Sequence, residues 1–427
     1  MSPPPSAAVV AVGDELLFGA TVNTNGAWLS RELSDLGLSV CCQGVVGDKK
    51  DQISAVVGKA LDEVELVIVT GGLGPTHDDL TREAVAELLG LPLDLNEDLL
   101  GRLKQRFEAL GYETPPQGSE AMATIPRGGR ILTNPLGAAP GLALEVSGDR
   151  LCVLLPGIPR EMRAIFDGDL TALLLDRFAR RLQPVVHRSI PTTGVPESVL
   201  AAEIAELIGE DLGPVSLAFL PDLRGVRLRL SARAGPEDPE MAVALGHIER
   251  VEGDLEPVLR GRRYFGETGD LAEAVGQALL EEGSSLAVAE SCTGGLIAKR
   301  VTDQPGSSRY FLGGIVAYAN EIKTDHLGVP PGVLRDHGAV SREVAEAMAS
   351  GVAAALGARF GIGITGIAGP DGGTSERPVG TVWYAVFSDR ETVARRASFL
   401  GGREDIRERA AQAALNLLLR VLEDRRP

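Results

Sequence analysis

Two serines and one lysine are the residues of this 427-residue chain whose types and spacing best fit covalent chemistry. Ala289-Glu290-Ser291-Cys292-Thr293-Gly294-Gly295 joins an apolar run to a helical stretch. Gly306-Ser307-Ser308-Arg309 follows that stretch, and Tyr318-Ala319-Asn320-Glu321-Ile322-Lys323 closes the next apolar run. Thr365-Gly366-Ile367-Ala368-Gly369-Pro370-Asp371-Gly372-Gly373 makes a further glycine turn. Attack on an amide carbonyl needs this kind of set: a nucleophile, a base that activates it, and donors for the oxyanion. Histidine, the usual base, is present only as His326 and His337 in this region, neither in a compelling motif. A lysine serves if burial lowers its pKa from about 10.4 toward about 7–8, whereas arginine stays protonated. Only six of the 42 basic residues are lysine, and beyond residue 105 only Lys299 and Lys323 remain. Plainer readings stand beside this one. Lys323 reads equally as an exposed residue at a helix start, and Ser291 as a helix cap. Cys292 reads as a small buried residue, or as an alternative nucleophile without an evident histidine partner.

A second constellation lies near the amino terminus. Val67-Ile68-Val69-Thr70-Gly71-Gly72-Leu73-Gly74-Pro75-Thr76-His77-Asp78-Asp79-Leu80-Thr81 runs from a buried strand through glycines into a helix. Main-chain N–H groups at such a turn bind anionic oxygens. Gly13-Asp14-Glu15 follows the first strand, with Thr21, Asn23 and Asn25 just beyond. Rigid turns at Asn134–Gly141 and Pro156–Pro159 add to the same region. Ligands of open α/β sheets bind outside the carboxyl ends of the strands. Thr70, Gly71, Gly72, Gly74, Asn23, Asn25 and Asp79 are the candidate phosphate or nucleotide contacts. Carboxylates beside a phosphate cradle suggest a divalent cation such as Mg²⁺, with Asp14, Glu15, Asp78 and Asp79 as candidate ligands. The alternative is a tight β–α turn in which Asp78 and Asp79 cap the helix.

The elements that must position these residues are legible from apolar periodicity. Strands at 7–12, 40–46, 66–70 and 151–155 alternate with helices at 25–36, 52–61 and 81–89, the pattern of an α/β doubly wound sheet. Residues 185–191 and 226–232 read as strands, and 197–209 and 240–259 as helices, a small α+β domain. Arg227 and Arg229 share one face of an alternating strand, read as solvated rather than as a nucleic-acid contact. After a polar linker at 260–270 come helices at 271–282, 294–303 and 342–356. Strands are expected at 286–289, 315–319, 361–365, 380–387 and 393–400, and a closing helix from Arg403. Three domains are therefore expected, 1–170, 171–259 and 265–427, more than a single core of about 250–300 residues holds.

Composition narrows the classes further. Forty-two basic against 59 acidic residues give a net charge of −17, with no basic segment, which argues against direct nucleic-acid contact. Four cysteines without CxxC spacing build no disulfide framework and fit a reducing cytoplasm. Neither a signal peptide nor an apolar run of the ~18 residues needed to span a membrane is read.

The glycine turn of the first domain resembles the TGGTG turn of the molybdopterin-binding fold, in which an aspartate at the position of Asp79 is functional. Leu73 stands where that pattern has threonine, and His77-Asp78 where a basic pair is typical. Across its length the chain resembles the competence/damage-inducible CinA family, through ESCTGG, GSS, YxNEIK, GAVS and TGIAGPDGG. The resemblance implies a carboxy-terminal nicotinamide mononucleotide deamidase that requires no cofactor. It also implies an amino-terminal, metal-dependent ADP-ribose pyrophosphatase, a KH-like domain between them, and a homodimer. Its serine–serine–lysine arrangement carries over to Ser291, Ser308 and Lys323, with Ser308 placed ahead of Ser291 as nucleophile. Thr293, Gly294, Tyr318, Thr365, Gly366 and Gly369 fall near the implied substrate. The rival readings are an amino-terminal pterin- or nucleotide-binding module without turnover, and a scaffold in DNA uptake or repair.

Overall fold

Runs that are apolar on both faces form the centre of the amino-terminal sheet. Its strand order is Ser39–Val46, Ser6–Val12, Leu66–Thr70, Arg150–Leu155, Gly141–Val146, Arg130–Leu132. The first four strands are parallel, Gly141–Val146 runs antiparallel to them, and Arg130–Leu132 runs antiparallel to Gly141–Val146. Alternate side chains go to opposite layers, as the period of a strand requires. Ala8, Val10, Val67 and Val69 pack with Ile53 and Val57, while Ala7, Val9, Leu66 and Ile68 pack with Leu29 and Leu33. Helices therefore cover both faces, and the carboxyl ends of the parallel strands open along one edge. This computed structural model describes residues 3–425 except 110, 112–117, 148, 210, 236–237, 239 and 267–268, so part of the expected linker lies outside the described residues.

The middle segment forms a three-stranded sheet in the order Val215–Pro221, Val226–Arg233, Val185–Thr192, with helices Glu197–Ile208 and Ala242–Leu259. Val226, Leu228 and Leu230 are buried while Arg227 and Arg229 are exposed, so those arginines do occupy a solvated face. Strand Val215–Pro221 has no counterpart in the sequence reading. It is an edge strand whose burial does not alternate, and periodicity is the signal on which such a reading depends. The chain packs as two compact units, residues 1–186 with 231–247, and residues 187–230 with 248–427.

In the carboxy-terminal segment the sheet order is Phe311–Val316, Leu286–Glu290, Phe360–Gly366, Thr381–Phe387, Thr392–Ser398. The first three strands are parallel, Thr381–Phe387 runs antiparallel to them, and Thr392–Ser398 runs antiparallel to Thr381–Phe387. Helix Arg342–Leu356 lies very close to strand Phe360–Gly366. A Cβ on Gly361 would sit 2.0 Å from the Ala349 carbonyl oxygen, and one on Gly363 2.3 Å from that of Ala345. Hydrogen is the only side chain that fits there. Helices Leu271–Glu282 and Arg403–Glu423 supply the other apolar layer. A polar network crosses that layer. Arg300, 2% exposed, donates to Asp270 at 2.7 Å and to Gln412 at 2.7 Å, and Gln412 donates to Thr193 at 3.1 Å.

Helix Asn320–Leu327 forms at the helix start read around Lys323, helix Pro331–His337 appears where none is expected, and the strand expected at 315–319 is Phe311–Val316. Gly313 and Gly314 interrupt its apolar run, which hides its first half from a reading based on side chains. No helix among the described residues is long and apolar enough to cross a membrane.

Candidate functional site

The carboxy-terminal site begins at a buried carboxylate. Glu290, 1% exposed, ends its strand. Its oxygens accept the N–H groups of Gly295 (3.0 Å), Ile297 (3.1 Å) and Ala298 (2.8 Å). Those are the donors that the first turn of a helix leaves unpaired. Gly294 and Gly295 adopt φ of 62° and 92°, which returns the chain sharply into helix Leu296–Thr302. The loop held between these anchors carries Ser291, whose own N–H donates to the Ile364 carbonyl at 3.0 Å.

Ser291 lines a cavity of about 210 Å³ together with Cys292, Tyr318, Asn320, Lys323, Ala339, Val340, Thr365, Gly366, Ala368 and Arg403. Lys323 is 1% exposed, and its Nζ donates to the carbonyls of Ala317 (2.8 Å) and Tyr318 (3.1 Å). Burial lowers the pKa of this amine below its ordinary 10.5, an effect that nearby Cys292 and Glu321 oppose only in part. A neutral amine has two N–H bonds and a lone pair. The two carbonyls take the hydrogens, and the lone pair remains for a hydroxyl proton. The exposed-lysine reading therefore gives way to a desolvated one. Cys292 is 5% exposed, and burial pushes its thiol up to about 12. It stays protonated at neutral pH, and a thiol is a poor nucleophile.

Other expected residues support the cavity or lie elsewhere. The Thr365 hydroxyl donates to the Ala339 carbonyl at 2.8 Å. Arg403 donates to the Tyr318 hydroxyl at 3.2 Å and to the Gly369 carbonyl at 2.6 Å, so Gly369 anchors the wall rather than lining it. Thr293 is fully buried with its Oγ1 unpaired, and its carbonyl accepts from Arg407 at 2.7 Å. Gly294 shapes the turn and is exposed. Glu290, Asn320, Arg403 and Arg407 are the residues that sequence reasoning did not single out. Only Glu290 and Asn320 carried a signal, as members of the motifs around Ser291 and Lys323.

Ser308 is not brought to this cavity by its own chain. It lies exposed in the short turn Ser307–Arg309, ahead of strand Phe311–Val316. The parallel register pairs Leu286 with Phe311 and Glu290 with Val316. Ser291 and Ser308 thus lie at opposite ends of the sheet, separated by about 16 Å of strand.

In the amino-terminal domain, Glu15, Thr21, Asn23, Asn25, Thr70 and Gly157 line a pocket of about 120 Å³. Asn23 caps helix Thr24–Leu36 by accepting the Gly26 N–H at 2.9 Å. The Asn25 amide donates to the Gly157 carbonyl (2.7 Å) and to Thr70 Oγ1 (3.3 Å), whereas its Oδ1 is buried without a partner. Thr81 Oγ1, against Gly72, is likewise buried and unpaired. Gly71 and Gly72 adopt positive φ at this turn, and Gly74 abuts the Asp79 carboxylate.

The expected metal ligands do not assemble. Asp79 is committed to its own turn, accepting the Thr76 N–H at 2.8 Å and the Thr76 hydroxyl. Asp78 pairs with His77 at 3.0 Å. Asp14 and Asp48 exchange carboxylate-to-backbone hydrogen bonds at 2.8 and 3.3 Å. Among the described residues no three His, Cys, Asp or Glu side chains form a metal-holding group. Asp48, not foreseen, has its pKa raised, first by burial and then by the charges of Asp14, Glu15 and Asp78.

Comparison with known proteins assigns all three segments. Residues 268–422 match the CinA C-terminal domain, 187–257 the damage-inducible protein CinA KH domain, and 8–175 the probable molybdopterin binding domain. The chain is 44% identical over 414 residues to a CinA-like protein of Gemmatimonas aurantiaca, covering 97% of this chain and 95% of that one. This chain belongs to the CinA family. A putative competence-damage inducible protein of Symbiobacterium thermophilum is another CinA-family relative, 42% identical over 425 residues, with 97% and 98% of the two chains covered. A solved CinA of unknown function from Thermoplasma acidophilum is 37% identical and covers 40% of this chain and 99% of its own, with a TM-score of 0.38. The molybdopterin-binding-like, KH-like and carboxy-terminal CinA architecture expected from the sequence is thereby established.

Proposed function

We propose that the carboxy-terminal cavity hydrolyses the carboxamide of nicotinamide mononucleotide, giving nicotinate mononucleotide and ammonia. The observation that carries this reading is the buried amine of Lys323 in the same cavity as the Ser291 hydroxyl. Ser291 is assigned the attack, since it is the serine that this cavity presents. Its oxygen bonds to the carboxamide carbon while its proton passes to Lys323. Collapse of the tetrahedral adduct breaks the C–N bond, and the lysine proton leaves with ammonia. Water then adds to the acyl-serine, returns a proton to Ser291 and frees the carboxylate. No step here calls for a metal. Asn320 and Arg403 offer donors to the bound nucleotide, and the arginine charge suits its phosphate.

Incubating the full chain with nicotinamide mononucleotide and following ammonia tests this directly. Arg403→Ala is expected to raise KM about tenfold with a smaller change in kcat, the sign of lost substrate binding. No ammonia from the unaltered chain would overturn the reading.

For the amino-terminal domain a second reading rests on Asn25 Oδ1 and Thr81 Oγ1, buried polar atoms without partners beside the glycine turn. Such atoms are costly unless a ligand or water completes them. They support binding of a nucleotide, with ADP-ribose as the proposed ligand. Because Asp14, Glu15, Asp78 and Asp79 form no ligand set, no step is routed through a divalent ion. Calorimetry should show ADP-ribose binding that weakens about tenfold in Asn25→Ala. Equal affinity in that variant would remove Asn25 from the site. Turnover of ADP-ribose that chelator abolishes would restore the metal-dependent activity that the family resemblance implies.

A further inference from the structure

Helix Arg403–Glu423 packs one face into the carboxy-terminal core through Ile406, Ala410, Leu415 and Leu418. A second face follows the i, i+3, i+4, i+7 spacing of one helix side. Its residues Arg409, Gln412, Ala413 and Asn416 line a cavity of about 450 Å³. Two loops close this cavity. Residues 193–197 lead into helix Glu197–Ile208, and residues 221–225 join strands Val215–Pro221 and Val226–Arg233. Tyr384 and Phe399 add aromatic walls. All of these residues belong to one of the two compact units, and none lines the Ser291–Lys323 cavity.

Most polar groups around the cavity are committed elsewhere. Gln412 gives both ends of its amide to Arg300 and Thr193. Arg224 holds Asp270 at 2.8 Å and Glu408 at 3.4 Å. Asp222 accepts the N–H groups of Arg224 (2.7 Å) and Gly225 (3.0 Å), which keeps it in its own turn. Arg409 differs. Its Nε is buried without a partner, and no carboxylate pairs with its guanidinium among the described residues. Arg403, Arg407 and Arg420 of the same helix all donate to acceptors of the chain. A half-buried guanidinium is costly unless an anion completes it. Two more donors face the same space. Asn416 turns its Oδ1 to Arg420 at 3.2 Å and leaves its Nδ2 beside Gly194. The Tyr384 hydroxyl has no partner among the described residues, and burial pushes its pKa above the ordinary 10.0, so it stays a donor.

We propose that this cavity binds a small monocarboxylate with an apolar, ring-sized body, its carboxylate held by Arg409, Tyr384 and Asn416. All three offer donors, and a carboxylate is an acceptor at every lone pair. One free guanidinium matches one negative charge. A phosphate dianion would meet Asp222 and Glu197, which also line the cavity, with Arg224 already paired. The two aromatic rings, with Leu223, Pro196 and Ala413, receive the hydrocarbon part. The volume lies within the range of about 300–1,000 Å³ usual for small-molecule sites.

This site is separate from the amide-hydrolase reading, and its test needs no enzymatic activity. Calorimetric titration of the full chain with benzoate should give saturable binding with a Kd of about 1 mM or tighter. Arg409→Met, which keeps the length of the stem, should weaken that binding at least about tenfold, the loss expected of a charge-assisted contact. Benzamide has the same shape without the charge, and should bind the unaltered chain at least about tenfold more weakly than benzoate. Arg403→Ala should leave benzoate affinity unchanged, because Arg403 lines the other cavity. No saturable binding, equal affinity in Arg409→Met, or benzamide as tight as benzoate would overturn the site. A loss confined to Arg403→Ala would place the ligand in the Ser291–Lys323 cavity and overturn it too. Urea unfolding separates a lost contact from a lost fold. Without ligand, Arg409→Met should have a midpoint no lower than that of the unaltered chain, since it removes a charge that has no partner. Benzoate should raise the midpoint of the unaltered chain and not that of the variant. A lower midpoint without ligand would make Arg409 a structural residue and overturn its assignment.

Discussion

Lys323→Ala is expected to release ammonia from nicotinamide mononucleotide at least about a thousandfold more slowly than the unaltered chain. The amine is almost entirely enclosed, and its two carbonyl partners hold it in place without neutralising it. Burial lowers its pKa, so at a given pH more of it is present as the free base than an exposed lysine would provide. The sign of the pH dependence follows. The active form is the deprotonated one, so kcat/KM should rise with pH through the amine's midpoint, which lies below 10.5. Lys323→Arg should lose as much as the alanine variant, since a guanidinium keeps its proton. Ser291→Ala should fall by a similar factor, because nucleophile and base act as a unit. Initial rates of ammonia release, with circular dichroism to verify folding, provide the measurement. Turnover within tenfold of normal in Lys323→Ala would end the serine–lysine mechanism.

Asp270→Ala is expected to destabilise the carboxy-terminal segment by about 3–5 kcal/mol, the cost of leaving a buried charge unpaired. Arg300 is the charge in question, with its side chain 2% exposed. Asp270 also accepts the Ala272 N–H at 2.9 Å, capping helix Leu271–Glu282, and receives Arg224 at 2.8 Å. Burial alone would raise the Asp270 pKa, but hydrogen bonds and charge from Arg300, with smaller help from the cap and Arg224, outweigh it and hold it below 3.8. A carboxyl with a depressed folded-state pKa stabilises above its unfolded value, and that stability is lost as pH falls through the folded one. Urea unfolding should therefore show a lower midpoint in Asp270→Ala near neutrality, and a smaller difference from the unaltered chain as pH drops below about 3.8. Equal midpoints at neutral pH would mean that Arg300 finds another partner.

Much of this architecture is legible in the residues themselves, and the failures have identifiable causes. Leu66–Thr70 is read to the residue because a five-residue run, buried on both faces, has only one form in a parallel sheet. Helices Leu271–Glu282 and Arg342–Leu356 are read equally well, each with its cap, Asp270 or Ser341, in place. Phe311–Val316 is misplaced because four of its six positions are glycine or exposed, and the extent of helix Asn320–Leu327 is missed because its turns bury only Lys323 and Leu327. At the site, motif spacing indicates which residues matter without saying which of them meet. Ser291 and Lys323 converge because both follow the carboxyl ends of adjacent parallel strands. Ser308 diverges because it precedes one of them, and only sheet register reveals that. Asp79 is read as functional from a pattern, and one of its carboxylate oxygens accepts the Thr76 N–H and hydroxyl of its own turn.

The contact between helix Arg342–Leu356 and strand Phe360–Gly366 has a bearing on selectivity. Ala339 and Val340, which form one wall of the cavity, lie just before that helix, and the Thr365 hydroxyl grips the Ala339 carbonyl from the strand. The height at which the helix rests on the sheet therefore sets where that wall stands. Gly361 and Gly363 fix this height with two hydrogen atoms. The gauge of the pocket is thus determined at the middle of the sheet, by residues that never meet a substrate. A single added methyl group there would act as a shim, changing which molecules fit while every side chain facing them stayed the same.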